Sequence, residues 1–188
     1  MSDTPTATSS RLNTFVAITV ALLATFMGIC KVKDDNLVQA MQQAQADKLD
    51  HWNFYQARNI RQELAEAAAT QLRLAKAGRP AADAAAYDEA IVRYEARAAT
   101  EAQKKQELKT QAEQDQKTYD ALNFHDDQFD LSDAALAIAI SLLAVTALTE
   151  LWWLYWLAWL PIVFGVAMGL AGLIGGSLHP TALTRLLS

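Results

Sequence analysis

Histidine and carboxylate side chains just before the second apolar stretch are the groups in this chain best suited to bind a metal ion. His125, Asp126 and Asp130 lie in one short string, and imidazole and carboxylate groups ligate divalent ions. The HxxxH, HExxH and calcium-loop spacings are all absent. Because the following Leu-Ser-Asp is typical of a helix start, we interpret these residues as capping and solvating groups. A metal site and a pH-sensitive histidine are the alternatives.

A second string with functional groups runs from Asp50 to Arg58. Within it, Trp52, Tyr55 and Gln56 share one helix face at steps of three and four residues. We expect this interaction motif to anchor one helix against another, or against a neighbouring molecule.

An enzyme that uses His51, His125 and nearby carboxylates is a weaker interpretation. The sequence contains no nucleophile elbow, P-loop, Rossmann glycine pattern or zinc spacing. We therefore assign no catalytic residue and no cofactor.

Charged residues are concentrated in one part of the chain, residues 31–130. This segment holds 14 of the 16 Lys and Arg residues and 18 of the 21 Asp and Glu residues, with both signs interleaved. Such a pattern is typical of a solvated helix surface, and it lacks the basic stripe that binds nucleic acid. Cys30 is the single cysteine, so an intrachain disulfide is excluded.

Three apolar stretches, residues 12–30, 131–149 and 157–178, are each long enough to cross a bilayer as a helix. The first is interpreted as a retained anchor, because no small-x-small cleavage site follows it. The sequence therefore predicts an integral membrane protein with three transmembrane helices. Residues 1–11 and 179–188 are expected to form a disordered N-terminal tail and a C-terminal tail.

The charged segment between the first two spans predicts a long antiparallel helical hairpin, since it contains one strong helix breaker, at residues 78–80. The arms on either side of this turn are nearly equal in length, and Gly and Pro are typical of the end of one helix and the start of the next. The second arm carries a coiled-coil-like seam with alternating steps of four and three residues. Its positions are 87, 91, 94, 98, 101, 105, 108, 112, 115, 119 and 122.

The first arm carries two apolar stripes that differ in phase. Leu37, Met41 and Ala44 start one, and the other contains Ala57, Ile60, Leu64, Ala67 and Leu74. The phase change indicates either a stutter or a second packing surface. Because both arms are rich in alanine, the core between them is expected to be thin. We therefore expect the hairpin to pack against copies of itself, giving a homo-oligomer, or against another protein.

Aromatic and glycine residues distinguish the last two spans. Residues 150–156 are predicted to form an interfacial aromatic turn, because rings with one polar edge concentrate at headgroup depth. The interfacial residues are Trp152, Trp153, Tyr155, Trp156 and Trp159. Four glycines that share one face of the third span predict close helix packing, within the chain or between subunits. These glycines are Gly165, Gly169, Gly172 and Gly176.

The spans contain no ionisable residue in their middles, which argues against active transport. A passive channel lined by hydroxyl groups and formed by an oligomer is the alternative function. Lys31 and Lys33 flank the first span on the hairpin side, and the positive-inside rule then places the hairpin in the cytoplasm.

The string from Trp52 to Arg58, together with the His125-Asp-Asp-x-Phe129 string before a span, resembles the bacterial domain-of-unknown-function family 4337. The resemblance implies one span, a helical region with a WxxYQA-type motif, a histidine-phenylalanine segment and two further spans, in a bacterial inner membrane. It implies no activity, cofactor or substrate. Basic residues common elsewhere in the family would place the helical module outside the cytoplasm, whereas this chain has Glu150 and tryptophans between its last two spans.

The sequence thus predicts an all-α integral membrane protein with three spans and a long hairpin between the first two. The expected function is that of a membrane-anchored helical scaffold or adaptor that self-associates through its hairpin and its glycine-rich third span.

Overall fold

Three α-helices make up the fold in the computed structural model, which describes residues 7–80 and 84–178. Helix α1 covers Ala7–Ala77, α2 covers Ala84–Thr149 and α3 covers Trp152–Ile174. The residues in these described ranges contain no strand. The first two helices are rich in Ala, Leu, Gln, Glu and Lys, which are strong helix formers. The prediction of an all-helical protein is confirmed.

Each of the three helices is long and apolar enough, by length and composition, to cross a membrane. The prediction of three helices whose length and composition suit a membrane span is therefore confirmed. Helix α1 begins at Ala7, inside the segment expected to be a disordered tail. Residues 1–6 and the expected C-terminal tail at 179–188 lie outside the described residues.

The connection between α2 and α3 is shorter than the aromatic turn predicted at 150–156. Only Glu150 and Leu151 separate the two helices, and Trp152 already belongs to α3. Glu150 adopts φ of 57°, a left-handed conformation, and its N–H donates to Thr146 O at 2.8 Å. Because the chain reverses at Glu150, helix α3 can begin at once, and Trp152, Trp153 and Trp156 lie in its first turns.

Helix α3 also ends earlier than the predicted span of 157–178. Gly175 has φ of 70°, and its N–H donates to Ala171 O. The N–H of Gly176 donates to the same carbonyl at 2.7 Å, so the last turn is closed by two glycines. Gly176 therefore lies beyond the helix and not on its packing face.

The chain divides into two compact units, and unit 1 combines residues 1–41 with 120–188. Its core contains apolar residues of all three helices. The fully or nearly fully buried members are Leu12, Val16, Leu23, Leu136, Ala139, Leu143, Tyr155, Ala158 and Ile162. Burial of such side chains stabilises unit 1 through close packing, which also drives helix association in lipid.

Unit 2 contains residues 42–119, and its two helical segments are joined by polar side-chain contacts. The partners run in opposite directions along α1 and α2, so the segments are antiparallel. The pairs are Lys48–Gln116, His51–Asp115, Arg58–Glu101, Arg73–Glu95 and Lys76–Asp88. All ten seam positions from 87 to 119 are buried or half-buried. The side chains at these ten positions are therefore turned away from solvent.

Candidate functional site

The interaction motif lies in unit 2, on the first turns of α1 within that unit. The rings of Trp52 and Tyr55 meet edge to face, with centroids 5.2 Å apart. Lys105 of α2 lies 5.9 Å from the centroid of the Tyr55 ring and donates from Nζ to Asn59 Oδ1 at 2.9 Å. Gln56, which the sequence grouped with the two aromatics, is exposed. The structure thus brings Tyr55 into the contact between the helices, and Trp52 packs against the Tyr55 ring on the same helix.

The three polar residues that interrupt the α2 seam each contact a residue of α1. Lys105 bonds Asn59, and His51 Nδ1 lies 2.6 Å from Asp115 Oδ2. Arg58 donates from Nη1 to Glu101 Oε2 at 3.0 Å, and Glu101 is buried. This hydrogen bond lowers the pKa of Glu101 below its ordinary value of 4.5, against the opposing effect of burial. These contacts satisfy polar groups inside the seam, a role that spacing alone did not reveal.

Three of the four predicted packing glycines form a close-packed face of α3 in unit 1. A Cβ built on Gly165 would lie 2.8 Å from Leu136 Cγ, and one on Gly172 would lie 2.8 Å from Phe129 Cζ. A Cβ on Gly169 would lie 2.8 Å from both the Phe26 ring and Ser132 Oγ. Because these glycines have no side chains, side chains of α1 and α2 pack directly against the backbone of α3 within one chain. The three atoms nearest to a Cβ built on Gly176 all belong to Ala171, at 3.4–3.5 Å.

Hydroxyl groups in the apolar parts of the helices are used within the protein. Ser132 Oγ donates to Gly165 O at 2.8 Å, which links α2 to α3. Thr19 Oγ1 donates to Phe15 O at 2.9 Å, so at 3.2 Å it accepts a hydrogen bond from the Tyr155 hydroxyl. These hydroxyl groups therefore form hydrogen bonds between helices of the same chain.

The five aromatic residues assigned to the membrane interface separate into two kinds. The tryptophans are exposed; these are Trp152, Trp153, Trp156 and Trp159. Tyr155, in contrast, is buried in the core of unit 1. The reason is its rotational position, because this face of α3 is turned toward Thr19 of α1.

The weak metal candidates His125, Asp126 and Asp130 all lie on α2. Among the described residues, no group of three or more His, Cys, Asp or Glu side chains is placed to hold a metal ion. His125 Nδ1 lies 3.0 Å from Gln128 Oε1. Gln128 is fully buried and donates from Nε2 to Gly176 O and Leu178 O. The predicted helix start at Leu131 is also wrong, since α2 continues through this string.

Asp130 of the same string instead lines a small cavity together with Asp34 of α1. Burial, a hydrogen bond to Asp34 and the negative charges of Asp130, Asp34 and Asp127 raise the pKa of Asp126 to about 6. Asp34 itself is 6% exposed and accepts a hydrogen bond from Lys31 Nζ at 2.8 Å. Sequence reasoning missed Asp34. The sequence feature that could have identified Asp34 is its position just after the first span, at the same end of the spans as the acidic string that precedes the second span.

His51 and His125 have separate partners in separate units. His51 pairs with Asp115 in unit 2, whereas His125 contacts Gln128 in unit 1. Neither histidine lies beside a serine or cysteine nucleophile in the contacts described above. The His51 contact joins α1 to α2, whereas His125 and Gln128 both belong to α2.

Comparison with known proteins identifies the family of this chain. The family described as domain of unknown function (DUF4337) matches residues 12–175, which include the first two apolar stretches, most of the third and both short motifs. Neither the curated proteins nor the solved structures contain a match to the chain. The match covers most of the sequence, as the Trp52 and His125 strings predict. The protein belongs to the family of the domain of unknown function DUF4337.

Proposed function

We propose that this protein is a membrane-anchored helical scaffold that self-associates through its extramembrane arms. In this proposal, the apolar parts of the three helices hold the chain in the bilayer. Residues 42–77 and 84–119 form a long helical hairpin in the aqueous phase. The hairpin presents a surface for a second copy of the same chain.

The distribution of apolar side chains in unit 2 carries the proposal. Its buried apolar residues are mostly alanines: Ala44, Ala65, Ala69, Ile91, Ala98 and Ala112. Six of its large apolar residues are more than half exposed: Leu49, Phe54, Ile60, Leu64, Leu74 and Val92. Burying one Leu or Ile side chain contributes roughly 1.5–3 kcal/mol. Small residues inside and large residues outside therefore favour further association of the hairpin.

The exposed residues of the first arm have the spacing of a helix-packing seam. Ile60, Leu64 and Leu74 are 57%, 65% and 73% exposed. With Ala67 and Gln71 they follow steps of four, three, four and three, which places them on one helix face. This outward seam is the second apolar stripe of the first arm. A parallel copy of α1 offers the same residues at the same heights, which suits a symmetric dimer.

The glycine face of α3 does not support self-association in the same way. Gly165, Gly169 and Gly172 already contact side chains of α1 and α2 in their own chain. We therefore propose that the outward seam on α1 forms the contact between subunits.

Replacement of the seam residues by polar ones tests this proposal. The double variant Ile60→Gln with Leu64→Gln should lower the mass of the full-length protein in detergent from an oligomer to a monomer, by light scattering. Thr70→Gln is the control, because Thr70 is exposed on the same helix but off the seam. A wild-type protein that is monomeric at every concentration would contradict the proposal, and circular dichroism should show unchanged helix content in both variants.

Cysteine cross-linking gives a second test in native membranes. Leu64→Cys should form a disulfide-linked dimer on mild oxidation, because the seam places the two copies of residue 64 side by side. Thr70→Cys should not. Equal cross-linking of both variants would indicate random collision and would argue against the seam.

We also propose that the hairpin lies on the cytoplasmic side of a bacterial inner membrane. Lys31 and Lys33 follow the first span, and the two-residue connection between α2 and α3 carries no Lys or Arg. Gly78→Cys at the hairpin turn should react with a membrane-impermeant maleimide only after cell lysis. Labelling of Gly78→Cys in intact cells would place the hairpin on the other side.

A further inference from the structure

A small cavity lies in unit 1 between α1, just after its apolar stretch, and α2, where its apolar stretch begins. Its volume of about 40 Å³ is several times what a water-sized sphere needs, about 10–15 Å³. The polar residues that line it are Lys31 and Asp34 of α1 and Asp130, Ser132 and Asp133 of α2. Lys31 and Asp130 are exposed, so the cavity reaches the protein surface.

The lining of this cavity is negatively charged. Its three carboxylates and one ammonium group give a net charge of −2. Lys31 is shared, because its Nζ lies 2.8 Å from Asp34 Oδ2 and 3.3 Å from Asp35 Oδ1. Burial and the negative charges of Asp34 and Asp127 raise the pKa of Asp130 above its ordinary value of 3.8. The electrostatic environment of the cavity therefore favours a cation.

Asp34 supplies a buried oxygen atom without a protein donor. The residue is 6% exposed, and its Oδ1 accepts no hydrogen bond from the residues that the structure describes. The other oxygen, Oδ2, accepts a hydrogen bond from Lys31 Nζ. A buried carboxylate oxygen without a donor is unfavourable, because its hydration is lost without compensation. Oδ1 is thus the atom of Asp34 that remains available to a ligand in the cavity.

The carboxylates around the cavity do not form a chelating cage. Within the described part of the chain, no three His, Cys, Asp or Glu side chains are placed to hold a metal ion between them. A cation that keeps its own water molecules needs no such cage. Mg²⁺ keeps several waters and binds through one or two carboxylates, whereas Ca²⁺ takes about 6–8 oxygen ligands. The arrangement therefore suits a hydrated ion of the Mg²⁺ type.

We propose that this cavity binds one hydrated divalent cation of the Mg²⁺ type and that the bound ion fastens α1 to α2. Asp34 Oδ1 is its direct protein ligand, and Asp130 and Asp133 accept hydrogen bonds from its water molecules. Ser132 Oγ donates to Gly165 O, so its oxygen also accepts from a bound water. The two positive charges of the ion balance the net charge of the lining.

Manganese binding tests the site, because Mn²⁺ prefers the same oxygen ligands and octahedral geometry as Mg²⁺. In a detergent without charged headgroups, each full-length chain should remove a single Mn²⁺ ion from the electron paramagnetic resonance signal of the free ion. Mg²⁺ should compete for this site, and bound Mn²⁺ should still enhance the relaxation of water protons. Asp34→Asn should abolish saturable binding. Asp130→Asn should weaken it about tenfold, as the loss of an outer-shell group does.

Asp35→Asn is the matched control. Asp35 is the neighbour of Asp34 and also contacts Lys31, but it is exposed and does not line the cavity. Its replacement removes the same charge and should change Mn²⁺ affinity less than about threefold, because salt screens an exposed charge. Equal weakening by Asp34→Asn and Asp35→Asn would indicate a diffuse layer of counterions and would overturn the proposal. A wild type that binds no Mn²⁺ at millimolar concentration would also overturn it.

Thermal unfolding gives the second readout. Mg²⁺ should raise the Tm of the wild type and of Asp35→Asn, since a ligand that binds the folded state stabilises it by mass action. It should leave the Tm of Asp34→Asn unchanged. This variant is expected to fold, because asparagine has nearly the same shape as aspartate and carries no charge. An equal rise in Asp34→Asn contradicts the site. Stabilisation of the wild type by a fall from about pH 8 to about pH 5, but not by Mg²⁺, overturns the proposal in favour of a bound proton.

Discussion

A single added methyl group at Gly169 is expected to separate the helices of unit 1. The Cβ of Gly169→Ala would lie 2.8 Å from two atoms of the Phe26 ring and 2.8 Å from Ser132 Oγ. Contacts this short require at least one neighbour to move. Ser132 also donates to Gly165 O, so its movement puts a buried hydrogen bond at risk.

The magnitude follows from three contributions. Overpacking of a close contact costs about 1–3 kcal/mol. Loss of the Ser132 hydrogen bond costs about 1 kcal/mol. Alanine is favoured over glycine in a helix by about 1 kcal/mol, which acts in the opposite direction. The sum of these three contributions is an expected decrease of roughly 1–3 kcal/mol in the free energy of unfolding of Gly169→Ala.

Gly28→Ala is the matched control. Gly28 also lies in a helix of unit 1, but nothing lies within 4 Å of a Cβ added there. This variant should be as stable as the wild type, or more stable by up to about 1 kcal/mol. Unfolding in mixed detergent micelles, followed by the helical circular dichroism signal, measures both. Because each variant adds one methyl group to a helical glycine, their difference isolates the contact with Phe26 and Ser132.

The reasoning also predicts a rescue. Phe26→Leu shortens the side chain that meets the new methyl group, so it should recover part of the stability lost in Gly169→Ala. A double-mutant cycle then gives a favourable coupling energy. Equal stability of Gly169→Ala and Gly28→Ala, or purely additive effects with Phe26→Leu, would refute the proposed packing.

Two further variants test polar contacts. Glu101→Gln should lower stability at neutral pH and flatten the acid limb of the stability profile. The low pKa of Glu101 contributes stability above its ordinary value of 4.5 that is lost as pH falls. Unfolding at pH 7 and at about pH 3 measures this, and an acid limb identical to the wild type would contradict it. Gln128→Ala should expose the segment that its amide holds, Gly176 and Leu178, to faster proteolysis, at a cost of about 1–3 kcal/mol. Unchanged proteolysis would show that these bonds do not hold the segment.

Much of the fold is predictable from the sequence because it depends on local pattern. The break after Ala77 coincides with the Gly-Arg-Pro string, and Arg79 N–H donates to Lys76 O at the end of α1. The seam positions of α2 in unit 2 are buried or half-buried because a 3.5-residue repeat keeps them on one face. These features need no knowledge of the partner helix.

The remaining features depend on how distant segments meet. The contact of His51 with Asp115 requires the register between two arms, which near-equal arm lengths do not fix to the residue. Tyrosine is a residue type typical of membrane interfaces, and Tyr155 is buried because the rotation of α3 turns its side chain into the core. Asp34 acquires its unusual surroundings when α2 returns beside α1. The start of α3 at Trp152 was missed because a left-handed glutamate, not a glycine, reverses the chain.

The two-residue connection at Glu150 and Leu151 also has an electrostatic consequence. The carboxyl end of α2 and the amino end of α3 meet there, and helix ends carry about half a negative and half a positive charge respectively. Opposite partial charges only two residues apart largely cancel. The chain thus turns at the edge of its apolar region with few uncompensated dipoles, which reduces the cost of placing that turn close to hydrocarbon.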